Sequence, residues 1–138
     1  MKDFTSVILA GERADRDPLR DETGVACKAL LDIDGTIMIR RVINALDGAA
    51  SIGSIHLSGP TEACVKRDDG LTGLIEENHI DWTPPGPSPS TSAHDMLGRF
   101  PESQPVLITT ADHPLLTAEI VDHFCRDSAR SGCDVVVG

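Results

Sequence analysis

Aromatic residues are scarce in this sequence. It has three Phe, one Trp and no Tyr among 138 residues, so any core must be built from aliphatic side chains. Basic residues are also few, 12 Lys and Arg against 22 Asp and Glu, for a formal net charge of -10. That balance excludes a general nucleic-acid binder, which needs a basic footprint, and it disfavours docking on an acidic membrane surface. Long apolar runs are missing too: none approaches the ~20 residues of a membrane span. The first five residues, followed by the short run Ser6 to Ala10, do not make a secretory leader, and the expectation is a cytoplasmic protein. Cys27, Cys64, Cys125 and Cys133 show no C-x-x-C spacing and are read as reduced thiols without a metal or redox role. The histidines His56, His79, His94, His113 and His123 lack zinc spacing. G-x-G-x-x-G, G-x-x-x-x-G-K-[ST] and G-x-S-x-G are all absent, which weighs against a dinucleotide oxidoreductase, a P-loop NTPase and a nucleophile-elbow hydrolase.

What is present is an alternation of short apolar runs and helical patterns. Val7 to Ala10 reads as a buried parallel strand stopped by Gly11. Gly11 to Val25 is polar and, at that length, reads as a functional loop. Lys28 to Gly35 reads as a short extended piece closed by the turn pair Asp34-Gly35. Met38, Val42, Ile43 and Leu46 recur at helical spacing and predict a helix over 37–47. Ser54 to Ser58 predicts a second strand, Thr61 the cap of a short helix, and Ile80 to Thr83 another strand. Pro84 to Ser92, dense in Pro, Gly and Ser, predicts an ordered loop before a helix over 93–99. Gln104 to Thr110 predicts the central strand, Thr117 the cap of a helix reaching Arg130, and Asp134 to Gly138 the start of a further strand. Alternation of this kind implies an α/β fold of three α/β/α layers around a mostly parallel, Rossmann-like sheet, here as a single domain over 1–138.

Two strand ends carry the chemistry. Gly11 ends the first, and the loop after it holds Arg13 and Arg16 and leads to Lys28. Glycine lets backbone approach an anion closely, and Arg and Lys neutralise phosphate, although Glu12, Asp15, Asp17, Asp21 and Glu22 make a solvated surface loop an equal alternative. The second strand ends in Thr110-Ala-Asp112-His-Pro114. A carboxylate at such an edge suits Mg²⁺, which is held by one or two carboxylates plus substrate phosphates. A capping role for Asp112 is the bland alternative, but Thr117 is better placed for the cap.

Leu9-Ala-Gly-Glu-Arg-Ala-Asp-Arg16, followed by Lys28 and by Gly35-Thr-Ile-Met38, resembles the signature of the MobA-like NTP transferases, nucleotidyltransferases of GT-A-like fold. Their opening is Leu-Ala-(Gly/Ala)-Gly-x-Gly-x-Arg, then Pro-Lys, then Gly-x-Pro-Met. Leu9, Ala10, Gly11, Arg16, Lys28, Gly35 and Met38 match. Glu12, Ala14, Cys27 and Ile37 stand where the pattern has two glycines and two prolines. The Asp112 segment is similar to the family's metal-binding Asp-x-Pro, and the Ser88 to Ser92 stretch falls where the family has a base-reading loop. The resemblance implies transfer of an NMP from an NTP to a phosphorylated acceptor, such as a sugar phosphate or cofactor precursor, with pyrophosphate release. It implies Arg16 and Lys28 in the catalytic role, Leu9, Ala10, Gly11, Arg13, Ser90 and Ser92 against the nucleotide, and Mg²⁺ on Asp112. A non-catalytic nucleotide-binding or subunit protein and, less favoured, a GT-A glycosyltransferase are the rival readings. Family members usually continue beyond the position of Gly138, so the resemblance also implies an N-terminal portion, incomplete at the C-terminus, whose last apolar segment would favour a homo-oligomer.

Overall fold

The computed structural model describes residues 2–11, 27–77 and 79–138. Strand β1 (Phe4–Leu9) is followed in the described chain by a single 3-10 turn, Lys28–Leu30, and by a small antiparallel hairpin, β2 (Asp32–Ile33) and β3 (Thr36–Ile37). Asp34 and Gly35 turn that hairpin with positive φ, 52° and 84°. Helix α1 (Met38–Gly48), strand β4 (Ile52–Ser58), the short helices α2 (Glu62–Val65) and α3 (Asp69–Glu76), strand β5 (Asp81–Thr83), helix α4 (Pro89–Leu97), strand β6 (Val106–Thr110) and helix α5 (Ala118–Ser131) complete the order. Four strands form one parallel sheet in the order β5-β4-β1-β6, so this is the α/β architecture with flanking helices that the alternation implies.

Side-chain alternation along the strands divides the core. Ile8, Ile55 and Leu57 point to one face, where they join Ile39, Val42, Ile43 and Leu46 of α1 and Val121 and Cys125 of α5 in one buried aliphatic cluster. The amphipathic stripe of α1 is therefore what covers this face. Asp122 fastens the layer: its two carboxylate oxygens accept the backbone N–H groups of Ala50 and Ser51 at 3.0 and 2.8 Å, tying α5 to the turn between α1 and β4. The opposite face carries Val7 and His56, paired in register, under α4, whose Met96 is buried and accepts a weak hydrogen bond from Thr83 Oγ1. Asp81 and Ser54 flank His56 at Nδ1 and Nε2, 3.3 and 3.2 Å away, and Phe100 meets its ring edge-on.

Four expectations are corrected. Lys28 to Leu30 is a 3-10 turn rather than extended chain, because Ala29 turns inward to be buried, with Leu30 packed against the core. Helix α4 begins at Pro89, not Ala93: Ser88 caps it by accepting the Thr91 N–H, and proline suits a first helical turn. Asp134 to Gly138 is in no strand; no partner pairs with it among the described residues, and Val135 and Val137 are exposed. Cys27 and Cys64 are joined by a disulfide, their Cα atoms 5.9 Å apart, while Cys125 and Cys133 are free.

Candidate functional site

The sheet order dictates where a ligand would sit. The chain runs from β1 to β4 to β5 on one side, then returns to place β6 on the other side of β1. The switch point lies between β1 and β6, and in open α/β sheets ligands bind in the crevice outside the carboxyl ends of such strands. Leu9, Ala10 and Gly11 leave β1 at that edge. The Ala10 N–H donates to Ser58 O on β4, and the Ala111 N–H after β6 donates to Leu9 O, so this short run is pinned from both sides.

Asp112 follows β6 and meets Lys28 across the crevice: Lys28 Nζ lies 3.0 Å from Asp112 Oδ2. Residues 84 positions apart are thus brought together. Both side chains stay in reach of solvent, 29% and 41% exposed. The other carboxylate oxygen accepts a hydrogen bond from the Thr110 hydroxyl. Burial raises the Asp112 pKa, but the hydrogen bonds from Thr110 and Lys28 and the Lys28 charge outweigh it, and the group ends below the ordinary carboxylate value. The carboxyl is therefore an anion at neutral pH, partly neutralised by Lys28. Thr117 caps α5 by accepting the Ile120 N–H, which leaves Asp112 without a helix-capping job.

On the β4–β5 side a cavity of about 240 Å³ opens at the strand ends, lined by Ser58, Thr83, Gly86, Ser92, Asp95 and Arg99 among others. Ser92 is buried, and its Oγ accepts the Gly86 N–H at 2.9 Å. Ser90 is exposed on the first turn of α4. Its hydroxyl lies 3.2 Å from Ser88 Oγ, and it does not line this cavity. Backbone packing at the edge is close. A Cβ on Gly11 would lie 2.9 Å from Pro85 Cβ, and one on Gly59, whose φ is +85°, would lie 2.7 Å from the Gly11 nitrogen. Ion pair and cavity therefore flank the Leu9–Gly11 run on opposite sides. Arg13 and Arg16 lie outside the described residues.

Sequence reasoning missed Thr110, Thr83 and Ser58. Each is a hydroxyl at the last position of its strand, and that placement alone is the signal that would have found them. Among the described residues no group of three or more His, Cys, Asp or Glu could hold a metal ion. Both Asp112 oxygens are already engaged, one by Lys28 and one by the Thr110 hydroxyl, so a cation held there would need a phosphorylated ligand to supply its remaining oxygens. No helix among the described residues is long and apolar enough to cross a membrane.

Comparison with known proteins places these observations. The profile of the MobA-like NTP transferase domain matches residues 6–138. No curated protein sequence matches. Similar solved structures include a nucleotidyl transferase from Methanothermobacter thermautotrophicus, with TM-score 0.63, 15% identity, and coverage of 89% of this chain and 56% of that one. The 4-diphosphocytidyl-2C-methyl-D-erythritol synthase of Anaerococcus prevotii gives 0.64, 15%, 94% and 52%. A CMP:2-keto-3-deoxy-manno-octonic acid synthetase complexed with CTP gives 0.59, 14%, 93% and 47%. At these identities the likeness is one of fold, and the chain spans about half the length of the structures it matches.

Proposed function

Because the chain belongs to the MobA-like NTP transferase domain family, we propose that it serves nucleotidyl transfer, moving an NMP from an NTP to a phosphorylated small-molecule acceptor. An acceptor phosphate oxygen attacks the α-phosphorus, the bond from that phosphorus to the bridging oxygen breaks, and pyrophosphate leaves. Chemistry of this kind depends on positioning and charge stabilisation and needs no covalent nucleophile. Leu9, Ala10 and Gly11 offer backbone at the crevice where the phosphates lie. Lys28 is assigned to neutralise the charge that grows on them, with Arg16, and Arg13 is assigned to the nucleotide. Mg²⁺ brought in with the triphosphate would be held by Asp112 and would supply further neutralisation of the phosphate oxygens. The cavity beside Ser92 is assigned to the base, and Ser90, exposed outside it, to the rim of that subsite.

The Lys28–Asp112 pair at the topological switch point is the observation that supports this reading most directly. A cation and an anion from segments far apart in sequence meet where phosphate and metal would have to be handled. The test is isothermal titration of the four NTPs, each with Mg²⁺, into wild type and Lys28→Ala. A charge-assisted hydrogen bond is worth about 1.5–3 kcal/mol, so one such contact predicts roughly a tenfold loss of affinity or more. Binding of no NTP to wild type, or equal binding to both proteins, would overturn the assignment. Incubation of the NTP that binds with a panel of sugar phosphates, read by pyrophosphate release, then decides whether this chain turns over.

A further inference from the structure

The Cys27–Cys64 disulfide is not needed by the reaction proposed above, yet it is attached directly to the residue on which that reaction rests. Cys27 precedes Lys28 and opens its 3-10 turn: the Leu30 N–H donates to Cys27 O, and the Leu31 N–H to Lys28 O. No side chain caps this turn. Cys64 lies in α2, a four-residue helix that follows the end of β4. The Lys28 turn is therefore tied covalently to the β4 side of the sheet, while its ammonium group reaches Asp112 on the β6 side. Separately, the Arg67 guanidinium approaches Cys27, Nη1 to Sγ 3.9 Å. A neighbouring cation favours a thiolate, and a sulfur that leaves readily as thiolate is the one expelled in exchange. The two sulfurs are thus chemically unequal: Cys27 is the leaving group, and Cys64 the sulfur that is attacked.

We propose that Cys27–Cys64 is a thiol–disulfide exchange site, a redox clamp that fixes the Lys28 turn when closed and releases it when a dithiol opens it. A thiolate of the dithiol attacks Cys64 Sγ, forming a mixed disulfide and expelling Cys27 as a thiolate beside Arg67. The second thiol then closes on the first sulfur and releases Cys64. The dithiol is oxidised to a cyclic disulfide by two electrons, and the protein ends as a dithiol. Cys27 and Cys64 are 2% and 5% exposed, so exchange waits on opening of the short helix α2 and is slow beside that of an exposed disulfide. The consequence for ligand binding rests on the nucleotidyl-transfer reading; the release of the turn does not.

The test uses the full chain, oxidised or treated with dithiothreitol, together with Cys27→Ser/Cys64→Ser. Thiol counting should find two free thiols in the oxidised protein and four after reduction. Hydrogen–deuterium exchange over 27–38 should quicken by about fivefold or more on reduction, as a local opening unit loses its tether. The dissociation constant for the NTP that binds, with Mg²⁺, should rise about tenfold, the value of one charge-assisted contact, and should recover on reoxidation. The double variant should sit at the reduced value and ignore dithiothreitol. In Lys28→Ala the reductant should no longer alter affinity, which separates a clamp on Lys28 from general loosening. Four free thiols in air-oxidised protein, or exchange over 27–38 that reduction does not change, would overturn the proposal, and so would equal affinity in the two redox states. If neither state binds any NTP, the functional reading falls, while exchange over 27–38 still decides the clamp.

Discussion

Asp112 stands between two partners, and replacing it with Asn separates their demands. In the free protein Lys28 Nζ is 3.0 Å from Asp112 Oδ2, with both side chains part-exposed. A pair this open is worth about 0.2–1 kcal/mol. A metal-free triphosphate that takes Lys28 must break that pair and lie near the carboxylate. Asp112→Asn removes both penalties: its single amide oxygen can still accept from Thr110, while the amide nitrogen, a donor, now faces Lys28. Metal-free affinity should therefore rise, by up to about fivefold if the whole pair is recovered. With Mg²⁺ the sign reverses, because a hard divalent cation loses its charged oxygen ligand. The ratio of affinities with and without Mg²⁺ should thus shrink from both ends. Titration calorimetry in EDTA and in excess Mg²⁺ measures it, and repetition at higher ionic strength should diminish the metal-free gain, as expected of exposed charges. Unfolding in urea should move by no more than about 1 kcal/mol. A variant that loses the same factor in both conditions, or that keeps wild-type Mg²⁺ dependence, would refute the assignment of Asp112 to the metal.

Two further outcomes test the frame around the site. His56 has its pKa lowered from the ordinary 6.5 by burial first, with Asp81 opposing and Arg99 adding to the shift. Below about pH 6.5 the unfolded chain binds a proton that the folded chain refuses, so stability is flat above that pH and falls as pH drops from it through the lower folded-state value; urea midpoints from pH 8 to 5 should show this, and His56→Gln should remove that part of the slope. At Gly59, φ is +85° and an added Cβ would meet the Gly11 nitrogen at 2.7 Å and the Ala10 carbonyl carbon at 2.9 Å. Both are backbone atoms that no rotamer change relieves, so Gly59→Ala should cost about 1–3 kcal/mol and weaken nucleotide binding by displacing Gly11. An unchanged guanidinium midpoint would contradict this.

How much of this was legible follows from the range of each interaction. Helix α1 was readable within one residue at either end, because Val42, Ile43 and Leu46, three of the four residues at the predicted spacing, join the cluster that covers the sheet, together with Ile39, while Met38 is buried outside it. Helix α5 was readable for a different reason: Thr117 does cap it, and Gly132, in the left-handed conformation at φ 68°, ends it. Serine and proline obscured the start of α4. Both residue types signal a loop in composition, yet Ser88 caps and Pro89 opens a helix. Asp134 to Gly138 has the composition of a strand, but a strand is defined by its partner, and among the described residues it has none.

The site divides in the same way. Lys28 and Asp112 could each be singled out from its own neighbourhood, a polar loop before one and an apolar strand before the other. Their meeting could not, since it depends on β6 adding beside β1 after the chain has passed through β4 and β5. The disulfide lies further still from local signals. Cys27 and Cys64 are 37 residues apart, separated by the hairpin, α1 and β4, and neither has a neighbouring cysteine to suggest a pair. What brings them together is the same crossover that brings β4 alongside β1. Two connections that meet at β1, the crossover that sets β4 on one side and the return that sets β6 on the other, thus set the covalent tie and the charge pair on which nucleotide handling is proposed to rest. A change that alters how β4 packs, such as Gly59→Ala, should be felt at Lys28 through Cys64 as well as at Gly11. Lys28 and Gly11 are therefore expected to respond together, although they belong to different segments of the loop-and-strand signature.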